Sequence, residues 1–285
     1  MRSISFDHSA ITGFLDACVS RYNQPQFIEL DPVQIPHRFK KKQDIEISGF
    51  WTSILSWGYR KTIIDKATLL MELMDNSPYD FIVGHSEKDR RRFTGFKHRT
   101  FQYTDTLYFL EFFQQYYREH ESLEWAFSKG IGRDDDHVEN GLRSFHRFFF
   151  SLPYFPQRTT KHVSTPEKKS TCKRLNMFLR WMVRKDNSGV DLGLWKTIKP
   201  HQLVIPLDIH VDKAARKLGL IKRKQTDWLA ALELTHTLKS LNTHDPVKYD
   251  YALFGVSIME PHILEEFLQK RSSPIRSPFQ NGFPE

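Results

Sequence analysis

Two segments of the chain carry residues that could do chemistry. Positions 172–183 read CKRLNMFLRWMV, with Leu175, Met177, Phe178, Leu179, Met182 and Val183 at the spacing of a largely buried helix. Lys173 stands in its first turn. A helix start carries partial positive charge and is a poor place for a cation, and a neutral amine is what a nucleophilic lysine must be. Positions 205–220 read IPLDIHVDKAARKLGL, and Asp208 precedes an apolar helical pattern. An aspartate there caps the free amides of a first turn, and its carboxylate can also stabilise developing positive charge or relay a proton. His210, two residues on, is expected to orient the helix start. In a different reading, Asp208, His210 and Asp212 alternate as D-x-H-x-D. On a strand they could ligate a divalent cation for a nuclease or phosphohydrolase, whereas on a helix from position 209 they diverge.

The elements that must position these residues are helices. Ile11, Phe14, Leu15 and Val19 mark the first, and apolar residues recur every three or four positions at 65–74, 105–117, 122–127, 141–150, 227–241 and 246–260. Positions 47–57 have the length of a buried helix, and 209–218 end before Gly219, a residue suited to closing a helix. Alternating patterns are scarce, so the expected class is all-α: a single two-lobed helical domain over 1–271 with a cleft between the lobes. A Pro/Ser-rich disordered tail is expected over 272–285.

Composition narrows the function classes. Two cysteines, Cys18 and Cys172, exclude a disulfide framework and cysteine-built zinc or iron–sulfur sites. The N-terminus lacks an apolar signal core and no apolar run approaches membrane length, so a cytoplasmic protein without membrane contact is expected. Lysine and arginine outnumber the acids by 42 to 34, a formal charge of +8. They gather in three clusters: 88–99, which includes Arg90, Arg92, Lys97 and Arg99 with Phe93 and Phe96 between; 158–185, which includes Lys161, Lys168, Lys169, Arg180 and Arg184; and 213–224, which includes Lys213, Arg216 and Arg223. Cations interleaved with aromatics point to phosphate backbones and stacked bases. Aromatic residues are 14% of the chain, an excess that divides between core and stacking surface.

Taken in order, Lys173 with Asn176 and the run 207–211 (LDIHV) resemble the helix-hairpin-helix DNA glycosylase superfamily, the class of endonuclease III, the adenine mismatch glycosylases and the 8-oxoguanine glycosylases. Positions 46–58 with 65–67, and 245–257, are similar to the early helix-loop-helix and the late helix of that superfamily. The chain departs from the pattern where 164–171 (STPEKKST) contains no hairpin glycine. The 35-position gap between Lys173 and Asp208 is most similar to the archaeal 8-oxoguanine glycosylases. Positions 179–184 (LRWMVR), 190–195 (VDLGLW) and 206–211 resemble a bacterial family of conserved hypothetical proteins, a resemblance that implies no activity.

The glycosylase resemblance implies a base-excision enzyme acting, as a monomer without cofactor or metal, on double-stranded DNA with a damaged base, with oxidised purines as the expected lesions. In that superfamily the residue matched by Lys173 attacks the sugar and allows β-elimination through a Schiff base, while the residue matched by Asp208 assists. Arg60, Lys61, Lys97, Arg99, Lys168, Lys169, Arg174 and Lys213 are expected to hold the nucleic acid. Trp57, Tyr59, Phe178, Trp181 and Trp195 are expected to form the base pocket, with Tyr59 or Arg60 filling the gap left by the flipped base. A non-catalytic DNA-binding module on the same scaffold is the alternative that the missing hairpin favours.

Overall fold

The computed structural model describes residues 8–272, which are helices and connecting loops; among them there is no strand, only an isolated bridge between His98 and Phe101. The all-α expectation holds. The longer helices are α1 (His8–Tyr22), α2 (Lys42–Leu55), α3 (Arg60–Leu73), α4 (Tyr103–Glu119), α5 (Glu139–Phe149), α6 (Lys173–Val183), α7 (Ile209–Lys217), α8 (Trp228–Leu241), α9 (Tyr249–Ile258) and α10 (Pro261–Ser272).

Local chemistry sets many of the ends. Asp208 accepts the amides of His210 and Val211 at the start of α7, and Asp227 accepts that of Ala230 at the start of α8. Gly219, at φ +75°, follows the last turn of α7 in the left-handed conformation that glycine adopts most easily. Elsewhere the elements differ from the sequence reading. Helix α3 begins five residues before its apolar repeat, because its first turn is polar. The pattern at 246–260 splits into a 3-10 turn, Pro246–Lys248, and α9. Short helices at Gln26–Leu30, Gln34–His37, Pro78–Gly84 and Glu87–Arg90 are too brief to show periodicity. Apart from Ser272, which ends α10, the expected tail lies outside the described residues.

Two groups of helices position the site. Helix α9 packs against α1, α7 and α10; α2 packs against α3, α6 and the short helices Gln34–His37 and Pro78–Gly84. One cluster of buried apolar side chains runs through both groups. Much of the aromatic excess lies there: the Phe50 ring meets Phe109, Phe113, Phe145, Phe149 and Phe178. Phe93 and Phe96, expected between basic residues as stacking groups, are core as well.

A buried carboxylate ties α2 to two loops. Glu46 accepts hydrogen bonds from Ser122 Oγ at 2.6 Å, Trp195 Nε1 at 2.7 Å, the Leu123 amide at 2.9 Å and Tyr117 Oη at 3.1 Å. Burial pushes its carboxyl above the ordinary range, and the bonds from Ser122, Leu123 and Trp195 pull it back. In Glu46→Ala the Leu123 and Trp195 N–H groups lose their acceptor in the core, and a buried unsatisfied donor costs about 1–3 kcal/mol. The expected loss is about 3 kcal/mol, or roughly 6–12 °C in melting temperature for a chain of this size. Glu46→Gln keeps an acceptor oxygen and should lose less than half as much. Thermal unfolding followed by circular dichroism checks both; equal losses would mean that bulk, not hydrogen bonding, is what Glu46 supplies.

Candidate active site

A cleft of about 540 Å³ opens where the two helix groups meet, a size suited to a small organic group. Its walls are the loop after α2 with the start of α3, one face of α6, the first turn of α7, one face of α9, and Phe27, Asp31 and Pro32. Lys173, Met177 and Arg180 stand at i, i+4 and i+7 along α6 and share one face; Asp250, Phe254 and Ile258, at i, i+4 and i+8, share one along α9. Lys173 and Asp208, 35 positions apart in the chain, line this same cleft.

Lys173 is the first residue of α6 and is half-buried. No hairpin precedes it. Thr165 caps a 3-10 turn, Pro166–Lys168, and Lys169 and Cys172 then reverse the chain with φ of 58° and 52°. These are left-handed conformations that cost a non-glycine residue about 1–2 kcal/mol. The Cys172 amide donates to Ser170 Oγ at 3.1 Å, and Asn176 Nδ2 donates to the Thr171 carbonyl at 3.0 Å. The segment 164–171 thus turns without glycine and delivers Lys173 to the cleft.

Asp208 holds the start of α7 with a single oxygen: Oδ1 accepts the amides of His210 at 2.8 Å and Val211 at 2.9 Å. Among the described residues its second oxygen takes no hydrogen bond. Because α7 runs from Ile209, Asp208, His210 and Asp212 do not share one face as they would on a strand: Asp208 caps the helix, His210 is exposed and Asp212 pairs with Arg216 at 2.8 Å. No group of three potential ligands converges among the described residues. The D-x-H-x-D metal reading fails for the geometric reason that would defeat it. His210 is exposed at the cleft rim, edge-on to Phe254 at 6.4 Å.

Arg180 and Asp250, which the sequence reading did not place in the site, pair with each other in the cleft wall. Arg180 also reaches Asp191 at 3.2 Å and lies over the Tyr251 ring at 4.4 Å. Arg184, one turn on, holds Asp191 at 2.9 Å, Asp245 at 2.9 Å and Asp186 at 2.6 Å. Burial pushes the Asp250 carboxyl up to about 7, against the pull of Arg180 and with Asp208 and Asp191 adding to the rise. Helical spacing from Lys173 could have found Arg180 and Met177; nothing local in the sequence pairs Arg180 with Asp250.

The expected base pocket divides. Trp57 and Tyr59 line the cleft and are 42% and 85% exposed, whereas Phe178, Trp181 and Trp195 are 0–1% exposed and belong to the core. Phe178 packs edge-on against Phe50 and Trp195, and Trp195 is held by Glu46. Phe178 and Trp181 lie on the packed face of α6 and Trp195 in a buried loop, which leaves them no route to the cleft. Trp57 is fixed from behind: His98 Nε2 meets its carbonyl at 3.1 Å and the Arg99 guanidinium lies 4.5 Å over its ring. The glycine that follows it, Gly58 at φ +121°, brings Arg99 so near that a Cβ would stand 3.1 Å from its guanidinium.

The expected nucleic-acid contacts divide too. Arg60 and Arg174 line the cleft, and Arg60 lies 5.6 Å from the Phe254 ring centre. Arg174 is committed to the protein, donating to the carbonyls of Ile54 at 2.6 Å and Lys161 at 3.4 Å. Lys61 pairs with Asp65 at 3.0 Å. Lys97, Arg99, Lys168, Lys169 and Lys213 are exposed, outside the cleft walls, and pair with no carboxylate among the described residues. The three basic clusters are in part neutralised: Arg90 pairs with Glu111, Arg92 with Asp75, Arg158 with Asp105, Lys217 with Glu265 and Arg223 with Asp227.

Two cationic positions should therefore respond differently. Arg180→Gln strands Asp191 and Asp250, and breaking a buried pair costs about 3–5 kcal/mol; a fall of roughly 6–20 °C in melting temperature is expected. Lys213→Gln should leave the melting temperature within 1–2 °C of the parent, roughly the scatter of neutral surface changes. A melting temperature in Arg180→Gln close to the parent's would remove the network from the fold.

Among the described residues no helix is long and apolar enough to cross a membrane. No curated protein and no solved structure matches the chain. A family model described as a protein of unknown function (DUF2400) matches residues 31–259, a span that holds Lys173, Asp208, Arg180, Asp250 and the rest of the cleft walls apart from Phe27. The chain belongs to the DUF2400 family.

Proposed function

We propose that the protein is a DNA glycosylase with an associated lyase step, acting as a monomer on double-stranded DNA that carries a damaged base. The observation that carries the reading is the shared cleft: an amine at one helix start and a carboxylate at another, far apart in sequence, border one largely apolar recess with room for a base. A base is flipped out of the duplex into the cleft between Phe27, Met177 and Phe254. The Lys173 amine attacks C1′ of the sugar; the bond from C1′ to the base breaks and its electron pair leaves with the base. The amine then loses a proton and the sugar ring opens to a Schiff base. Asp208, with one oxygen spent on the helix cap and the other unbonded, offers its charge to the cationic sugar as that charge develops. Trp57 and Tyr59 at the mouth supply stacking surface, and Arg60, Lys97, Arg99, Lys168, Lys169 and Lys213 supply phosphate contacts.

Lys173→Gln should abolish borohydride-trapped covalent complex and strand cleavage on a panel of lesion-bearing duplexes, while duplex affinity changes by the share of one cation among several. Asp208→Asn should slow base release by about a hundredfold or more and still trap on a pre-formed abasic site, where no base departs. Asparagine caps helices nearly as well as aspartate, so an Asn variant that releases bases at the parent's rate would leave Asp208 a cap and nothing more.

Binding to undamaged duplex should weaken steeply with salt. With about four to six phosphates contacted, the slope of log K against log salt is roughly −4 to −5. Affinity that does not change between low and physiological salt would exclude the phosphate contacts.

A further inference from the structure

A second cavity, of about 410 Å³, adjoins the first, and Trp57, Lys173 and Arg174 stand between the two. Apart from Trp57, the side chains that line it are polar or charged. Lys161 and the hydroxyls of Ser164, Ser170 and Thr171 line it, and so does His162, which is 3% exposed. Ser170 Oγ already accepts the Cys172 amide, so its own proton is free to point elsewhere. The imidazole is braced from behind. Its Nε2 lies 3.4 Å from Oδ2 of the fully buried Asp105 and, among the described residues, makes no hydrogen bond. Asp105 is itself held by Thr159 Oγ1 at 2.7 Å, the Gln102 amide at 2.8 Å and the Arg158 guanidinium. Burial pushes the Asp105 carboxyl up, but the neighbouring His162 ring and the hydrogen bonds from Thr159 and the Gln102 amide outweigh it and hold the group below its ordinary range. With Nε2 turned to Asp105, Nδ1 is the ring nitrogen left to meet a ligand.

A buried, charge-braced imidazole in a cavity of hydroxyls and ammonium groups suits an oxyanion that gains charge. We propose that His162 is a catalytic residue of strand cleavage, donating a hydrogen bond to the departing phosphate, which sits in this second cavity. The inference rests on the lyase reading above. In that step the Schiff base at C1′ draws electrons, the C2′–H bond breaks with its proton passing to water, and a C2′–C3′ double bond forms. The C3′–O bond breaks and its electron pair leaves on the phosphate oxygen. The diester carries one negative charge and the departing monoester approaches two, so a donor aimed at it acts mainly as that charge develops. Asp105 is a positioning residue behind it. Because Lys173 borders both cavities, a sugar bound to it reaches base pocket and phosphate seat together.

The test uses the full chain and a duplex with a pre-formed abasic site, with borohydride trapping and strand cleavage measured separately. His162→Gln should trap within about threefold of the parent yet cleave about a hundredfold more slowly. Replacing the 3′ oxygen by sulfur, a leaving atom that needs less stabilisation, should restore most of that loss. Lys161→Ala, at an exposed position where folding is not at stake, should slow cleavage about tenfold with trapping retained. Equal losses of trapping and cleavage in His162→Gln, no rescue by sulfur, or parental cleavage in Lys161→Ala would each overturn the assignment. A parent protein that neither traps nor cleaves would overturn the lyase reading and this inference with it, whereas a parent that cleaves beside variants that cleave equally well would overturn this inference alone.

Discussion

The buried ionic network around Arg180 and Arg184 is the constraint on which the site depends. Two arginines one turn apart, Arg180 on α6 and Arg184 just after it, hold Asp191 between them and reach out to Asp250 on α9, to Asp245 before it and to Asp186 in the connecting loop. Neither guanidinium is more than 6% exposed on its side chain. Taking such charges out of water is costly, and the cost is met only when every partner is in place. The network therefore specifies one docking of α9 on α6. It fixes the relative position of the two cleft walls, and with them the distance across which Lys173 and the residues of α9 face each other.

The same pairing logic separates two uses of positive charge in one chain. Arginines that meet buried acids are spent on them: Arg180 and Arg184 pair with the buried Asp191, and Arg158 reaches from a part-exposed position to the buried Asp105. Lysines at the surface, such as Lys97, Lys169 and Lys213, are left exposed. Arginine suits the first role because its planar fork makes several hydrogen bonds at once, and lysine suits the second because it is a hydrated point charge on a flexible stem. A net excess of cations is thus a poor count of phosphate contacts; the exposed lysines and Arg99 are the better one.

Much of this was legible in the sequence. The amphipathic repeat of α6, the cap at Asp208, the closing Gly219 and the apolar α2 depend on residues within a turn or two of one another, and a helix needs only those to form. Spacing along α6 also carried more than was read from it, since Met177 and Arg180 follow Lys173 at i+4 and i+7. Short helices such as Gln34–His37 left no trace, because four residues cannot display a period of 3.6.

By itself, then, the sequence determined the helices, their caps and the two residues whose chemistry stands out, Lys173 and Asp208. Tertiary structure decided what each aromatic and each cation is for. Trp57 and Trp181 are the same residue type on similarly apolar stretches, yet one is 42% exposed in the cleft mouth and the other is fully buried. Arg180 and Lys213 both sit in basic clusters, yet only the first meets a carboxylate, 70 positions away. His162 gave no signal in sequence because the group that braces it, Asp105, lies 57 residues earlier. Local patterns fix which face of a helix is apolar; which partner that face meets depends on contacts between segments remote in the chain, and those exist only once the helices have packed.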